Sequence, residues 1–272
     1  MRSVRKERNV IKERSERFST VPFWKTSITL AVLLLAGSIL NPVESKLWGV
    51  MKENLTPASI HSLQSQTSEG LVLATLGGFR SIIADIQWLQ TMNSWEKQEK
   101  EKTIGGIQFT VGLDPRPTFF WLNGGRMLAY DMRHWDADLF ENFEERRKEE
   151  IRLANMAIDF LKLAIQYHPE TVSFPIEIAN IYLNRLGNLE LAAEYYHKAY
   201  TEYDDSPYYV GRLYALILAQ MGEYSKAYDF LTQLYRELPS GDIYANKPIV
   251  LSRIRALEKK INLPREKRFR PQ

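Results

Sequence analysis

Two stretches of this chain superpose without a gap at an offset of 35 residues: IANIYLNRLGNLELAAEYYHKAY from Ile178 and LYALILAQMGEYSKAYDFLTQLY from Leu213. Gly187 coincides with Gly222, and Ala192 with Ala227. A period in this range marks repeated supersecondary units, each able to bury its apolar side only against the next. Glycine reaches the left-handed backbone that ends a helix tightly, and a small alanine soon after lets a second helix come close. The chain is therefore expected to be all-α, a solenoid of helix pairs. Any function has to be carried by the surface of that stack.

The same positions resemble the tetratricopeptide repeat family. That pattern places Gly at the turn, then a small residue, a large apolar residue, Ala and Pro. Gly187, Ala192, Tyr196 and Ala199 occupy it in one segment, and Gly222, Ala227, Leu231, Leu234 and Pro239 in the next, where Leu234 departs from the family's Ala. Upstream, Ala157, Leu161, Ala164 and Pro169 keep the spacing and predict a further second helix. Its first helix is PTFFWLNGGRMLAYDMR, with Trp121, Gly124, Gly125 and Leu128 in the family's places and the insertion HWDADLFENFEERRKEE after it. The charge run closing the insertion is expected to extend the second helix as a solvated stretch with opposite charges three or four apart. GGFRSIIADIQWLQTMNSWEKQ and IQFTVGLDP complete one more pair, giving four repeats over 71–245, two of them degenerate. Residues 246–262 read as a capping helix whose stripe is Val250, Ile254, Leu257 and Ile261. The basic tail 263–272, LPREKRFRPQ, is expected to be disordered and solubilising, with contact to lipid or an acidic partner as the alternative use.

The first 42 residues point to a membrane. Residues 1–25 carry eight Lys or Arg against three Glu, and 28–40, ITLAVLLLAGSIL, carry no charge. With Val21 to Trp24 added and Lys25 snorkelling, the apolar reach suits one span over 22–41, built on Trp24, Ile28, Leu30, Val32, Leu33, Leu34, Leu35, Ile39 and Leu40. Trp24 and Trp48 stand where interfacial aromatics belong, and the basic excess before the span predicts a cytoplasmic arm, 1–21. Val4, Ile11 and Phe18 would form a narrow stripe on that arm if it is helical. A cleaved signal peptide with a site near Ala36-Gly37-Ser38, or a buried soluble helix, are the competing readings. Residues 42–70 are polar and read as a tether. Leu71 to Leu89 is apolar, but Arg80 and Asp85 would each cost about 2.5–3.5 kcal/mol at a bilayer centre, so a packed first helix is expected there. The implied location is the inner membrane, single-pass, with the repeats periplasmic or extracytoplasmic. Gly77-Gly78-Phe79-Arg80 and Ala84 to Leu89 are also similar to bacterial membrane proteins that carry such repeats, which implies an architecture and no activity.

No chemistry-bearing constellation stands out. The chain has no cysteine, which excludes disulfides, thiolate metal sites and cysteine nucleophiles. His61, His134, His168 and His197 are scattered, and none begins an HExxH motif. His134 with Asp136 and Asp138 reads as solvated loop rather than metal site. The glycine pairs at 77, 105 and 124 are followed by neither Lys-Ser nor Lys-Thr, so no phosphate cradle is implied. No enzyme, cofactor or metal is expected, and a net charge of +3 does not call for nucleic acid.

The family resemblance implies a groove lined by first helices. By alignment its residues are Phe119, Leu122, Arg126, Ala129 and Tyr130; then Phe174, Glu177, Ile181, Asn184 and Arg185; then Tyr209, Arg212, Leu216, Ala219 and Gln220. The arginines and aromatics there suit a partner peptide with apolar anchors and a carboxylate. The expected role is a protein-protein interaction scaffold, an assembly or accessory subunit of a bacterial envelope complex. The alternatives are a regulatory subunit of a transporter, secretion or pilus machine, and a glycan- or peptidoglycan-binding module.

Overall fold

In a computed structural model the described residues are 80–135 and 142–271. The arm 1–21, the span 22–41, the tether 42–70 and the loop holding Asp136 and Asp138 lie outside them. From Ile83 onward the chain forms one compact unit. Among the described residues every regular element is helical. None of these helices is long and apolar enough to cross a membrane.

Helix α1, Arg80–Glu96, and α2, Lys100–Leu113, form the first pair. They meet at Gly106, whose missing side chain lets the buried Thr91 approach closely. Two prolines, Pro115 and Pro117, turn the chain into α3, Thr118–Arg126, which runs on through a π-helical turn, Met127–Asp131, and a 3-10 turn, Met132–His134. A side chain at Gly124 or Gly125 would collide with Ile107, Phe160 or Leu161, so these glycines set the distance from α3 to its neighbours. Trp121 fixes the crossing: its Nε1 donates to the Pro115 carbonyl at 2.8 Å and its ring lies against Phe160 and Tyr167. Trp95 Nε1 reaches from α1 to Asp131 at 3.0 Å.

Helix α4, Phe143–Tyr167, is extended at its start, as the charge run predicts. Asn142 caps it by accepting the Glu145 amide, and Glu144 and Glu145 occupy the favourable first turn. The i,i+3 pairs are present as Arg147 with Glu150 and Arg152 with Glu149. Helix α5, Ser173–Ile181, continues through a second π-helical turn, Tyr182–Leu186, and stops at Gly187 with φ +66°. Asn188 then caps α6, Leu189–Thr201. Helix α7, Tyr208–Gln220, leads to Gly222, φ +82°, and α8, Tyr224–Glu237. Both segments, 35 residues apart, thus fold as helix, left-handed glycine, helix. Ala192, Tyr196 and Ala199 are buried in α6, and Ala227, Leu231 and Leu234 in α8.

Each helix from α3 to α9 packs chiefly on its chain neighbours, the linear stacking of a solenoid. Helix α9, Lys247–Lys260, closes the row: Val250, Ile254 and Leu257 join Leu234 and Leu238 in one core cluster. The tail differs from expectation. It makes a 3-10 turn, Arg265–Lys267, and inserts Phe269 into that cluster. The Phe269 amide donates to Glu258 at 2.9 Å and its carbonyl accepts Arg255 at 2.8 Å. One aromatic and one buried carboxylate are enough to pin a segment whose composition reads as disordered.

Candidate interaction surface

The seam between α3 and α5 carries a dense polar network. Arg126 on α3 donates Nε and Nη2 to Glu177 on α5, at 3.0 and 2.9 Å. Glu177's side chain is 5% exposed and Arg126's 55%, so the pair runs from the core to the surface. One turn further along α3, Tyr130 faces Glu177 and hydrogen-bonds Asn184. Burial first, then the Glu177 charge, push its phenol well above the usual tyrosine range, and the bond to Asn184 opposes them. Next, Arg185 donates Nε to the Ala129 carbonyl at 2.8 Å. Ala129 belongs to the first π-helical turn and Arg185 to the second. The Arg185 carbonyl in turn accepts Nη2 of Arg147 at 3.1 Å. Thus each π-helical turn offers a backbone carbonyl to an arginine, one structural use of such turns.

Charge within this seam is incompletely matched. Arg147 pairs with Glu150 at 3.1 Å, while Arg185 Nη2 lies 3.7 Å from the same carboxylate. Burial lowers the Arg185 pKa, the neighbouring Arg133 lowers it further, and Glu150 opposes both. On α6, burial pushes the Tyr196 phenol up to about 12, and its hydroxyl donates to Asn180.

The aligned groove residues therefore divide. Phe174, Ile181, Glu177 and Arg185 are buried, as is Ala129. The reason is that α5 is covered by α3, α4 and α6, so the face an alignment assigns to an open groove is packed. Leu122, Tyr130, Arg212 and Ala219 are half-buried. Phe119, Arg126, Asn184, Tyr209, Leu216 and Gln220 are exposed. Phe119 also stands edge-on to Trp88, with ring centroids 5.7 Å apart. The three arginines expected to receive a partner's carboxylate already have bonds within the chain. Arg126 holds Glu177 and Arg185 holds Ala129, whereas Arg212 donates Nη1 to the carbonyls of Tyr244 at 3.2 Å and Ala245 at 2.9 Å. Burial and the nearby Arg253 lower the Arg212 pKa.

Arg147 and Glu150 were legible only as members of a charge run, and the π-helical turns left no mark in the sequence. His134 shares a hydrogen bond with Arg133. Among the described residues no three His, Asp or Glu side chains converge as a metal ion requires. Neither a family model nor a curated protein matches the chain.

Proposed function

We infer that this chain is a non-enzymatic, membrane-anchored scaffold of helical repeats of the tetratricopeptide type, an accessory or assembly subunit of a bacterial envelope complex. The span 22–41 fixes it at the inner membrane, with the repeats outside the cytoplasm. The observation that carries the reading is the outer stripe of α7. Tyr209, Leu216 and Gln220 recur at helical spacing on its solvent side, while Val210, Ile217 and Leu218 are buried on the other. An aromatic and a leucine exposed on one stripe suit the apolar anchors of a partner segment, with Gln220 supplying a polar contact.

The test avoids the arginines, whose loss would disturb the fold. Tyr209→Asp with Leu216→Asp, in the full-length protein purified in mild detergent, is expected to keep the wild-type helical content and lose the co-purifying subunit. A folded double variant with an unchanged co-purification profile would refute the assignment of this face.

A further inference from the structure

Two of the most exposed apolar side chains, Ile243 at 88% and Tyr244 at 83%, stand side by side at the tip of the loop joining α8 to α9. The loop is built to hold them there. Gly241 takes a left-handed φ of +86° and Asn246 one of +49°. The Asp242 carboxylate accepts the Tyr244 amide at 2.7 Å, Ala245 is a buried plug, and Arg212 grips the Tyr244 and Ala245 carbonyls from below. With the Tyr244 amide and the Tyr244 and Ala245 carbonyls engaged this way, the loop presents two apolar side chains to solvent.

The surroundings are basic. Residues 240–272 hold nine Lys or Arg against three Asp or Glu, an excess of six, in a chain whose total net charge is only +3. The Phe269 pin brings part of that charge to the loop. Lys247 lies over the Tyr235 ring at 5.0 Å, Tyr235 meets Phe269 at 5.4 Å, and Arg236 lies over Phe269 at 5.6 Å. Arg268 and Arg270, exposed on either side of Phe269, are thereby held at the same end of the array. Of the described carboxylates nearby only Glu258 is paired with a cation, and the charges of Asp242 and Glu237, which are bonded to neutral donors, are outnumbered by Arg236, Lys247, Arg268 and Arg270. Asp242 takes the loop amide, Glu258 takes Arg255 and the Phe269 amide, and Glu237 takes Tyr200 and Gln233. Glu266 is exposed in the tail.

We propose that the 239–246 loop is a second membrane contact, in which Ile243 and Tyr244 enter the headgroup layer of an anionic bilayer while Arg236, Lys247, Arg268 and Arg270 face its phosphates. A protruding tip with two apolar side chains offers far less than the roughly 800 Å² per partner of a stable protein interface. Entry into a headgroup layer needs no matching surface, favours an aromatic at the interface and gains from each cation. The contact goes beyond the scaffold reading and does not rest on the N-terminal span.

The chain lacks cysteine, so Ser240→Cys, at an exposed position on the same loop that leaves Ile243 and Tyr244 in place, gives a single labelling site for an environment-sensitive fluorophore in the full-length protein. With nanodiscs of phosphatidylcholine plus phosphatidylglycerol, the emission is expected to shift to the blue and to resist iodide quenching. Discs of phosphatidylcholine alone, or raised salt, should abolish both effects. Arg268→Gln with Arg270→Gln should weaken the phosphatidylglycerol-dependent signal roughly twenty-five-fold, at about five-fold per cation. A label that stays quenchable in anionic discs overturns the proposal. So does an equal shift in neutral discs, or a lipid-independent shift that follows protein concentration and marks a second copy. Because the label reports the tip alone, a chain that fails to insert through residues 22–41 can be added to the discs from solution and read identically, which separates failure of the anchor from failure of the tip.

Discussion

Alanine at two consecutive residues of α2 is predicted to have effects of opposite sign. A Cβ at Gly105 meets nothing within 4 Å, and the position is exposed. Gly105→Ala should stabilise by about 0.5–1 kcal/mol, the helix preference for Ala over Gly. At Gly106 the added carbon would stand 2.4 Å from Thr91 Oγ1 and 3.1 Å from its Cβ and Cγ2. Thr91 cannot swing aside. Both branches face the glycine, the side chain is buried, and Oγ1 donates to the Gln87 carbonyl at 2.8 Å. Relief requires α1 to move off α2. Overpacking by one carbon costs about 1–3 kcal/mol, and the helix preference offsets part of it, leaving Gly106→Ala destabilised by about 1–2 kcal/mol. Urea unfolding followed by circular dichroism, on the full-length protein in mild detergent, resolves differences of this size, equivalent to about 2–4 °C in Tm per kcal/mol. Thr91→Ala removes both branches, so in the Gly106→Ala background it should recover most of the loss. A double-mutant cycle should return a coupling of about 1 kcal/mol. If Gly106→Ala unfolds at the wild-type midpoint, or both alanines shift it in the same direction, α1 is not seated on α2 at this glycine.

Glu149 gives a pH signature. The Arg152 guanidinium, donating at 2.6 and 2.7 Å, holds its carboxyl down to about 2, with Lys100 assisting and burial opposing. A carboxyl depressed on folding stabilises fully above its ordinary pKa of 4.5 and loses that contribution as pH falls towards 2. Glu149→Gln should therefore cost about 1–2 kcal/mol at pH 7, after allowing for solvent at the half-exposed Arg152, with the gap closing between pH 4.5 and 2. A gap that denaturation finds constant over that range refutes the pairing. Arg126→Ala strands the buried Glu177 carboxylate and is expected to cost about 2 kcal/mol, below the range for a fully buried pair because Arg126 is half exposed. Adding Glu177→Leu should restore most of that stability in the same denaturation experiment. Phe269→Ala removes the pin of the tail, with an expected loss of about 3 kcal/mol, the lower end for a buried Phe because the segment it anchors is short. Limited trypsin digestion should then cut rapidly at Arg265, Lys267 or Arg268, and wild-type resistance in the variant would count against the docked tail.

The helix pairs were legible where a residue has one steric reason to be present. Gly187 and Gly222 read as turn residues and adopt positive φ, and Ala192 and Ala227 read as close-contact residues and are buried. The capping helix was legible from its single stripe, because a helix closing a row buries one face only. The tail was not. Its composition reports the many charges of LPREKRFRPQ, whereas its order depends on Phe269 and Glu258 meeting across a turn that composition does not encode.

Among the arginines of the inferred groove, Arg185 shows a deeper limit. Alignment places a side chain on a face by assuming regular helical rotation, about 100° per residue. A π-helical turn accommodates an extra residue and displaces that rotation for every later position in the helix. Both α3 and α5 contain such a turn at their C-terminal ends, and there Arg185 reaches inward to Ala129 while Asn184 remains exposed. Helix α7 has no such turn and ends at Gln220 as a regular α-helix. Its aligned apolar positions Tyr209 and Leu216 are exposed as the pattern implies, as is Phe119 ahead of the turn in α3, whereas Phe174 and Ile181, ahead of the turn in α5, are buried by neighbouring helices. Arg212, between them, is committed to the loop carrying Ile243 and Tyr244. The stripe inferred to receive a partner segment and the loop proposed to meet a membrane thus share one guanidinium, which leaves Tyr209, Leu216 and Gln220 as the side chains of that face open to solvent.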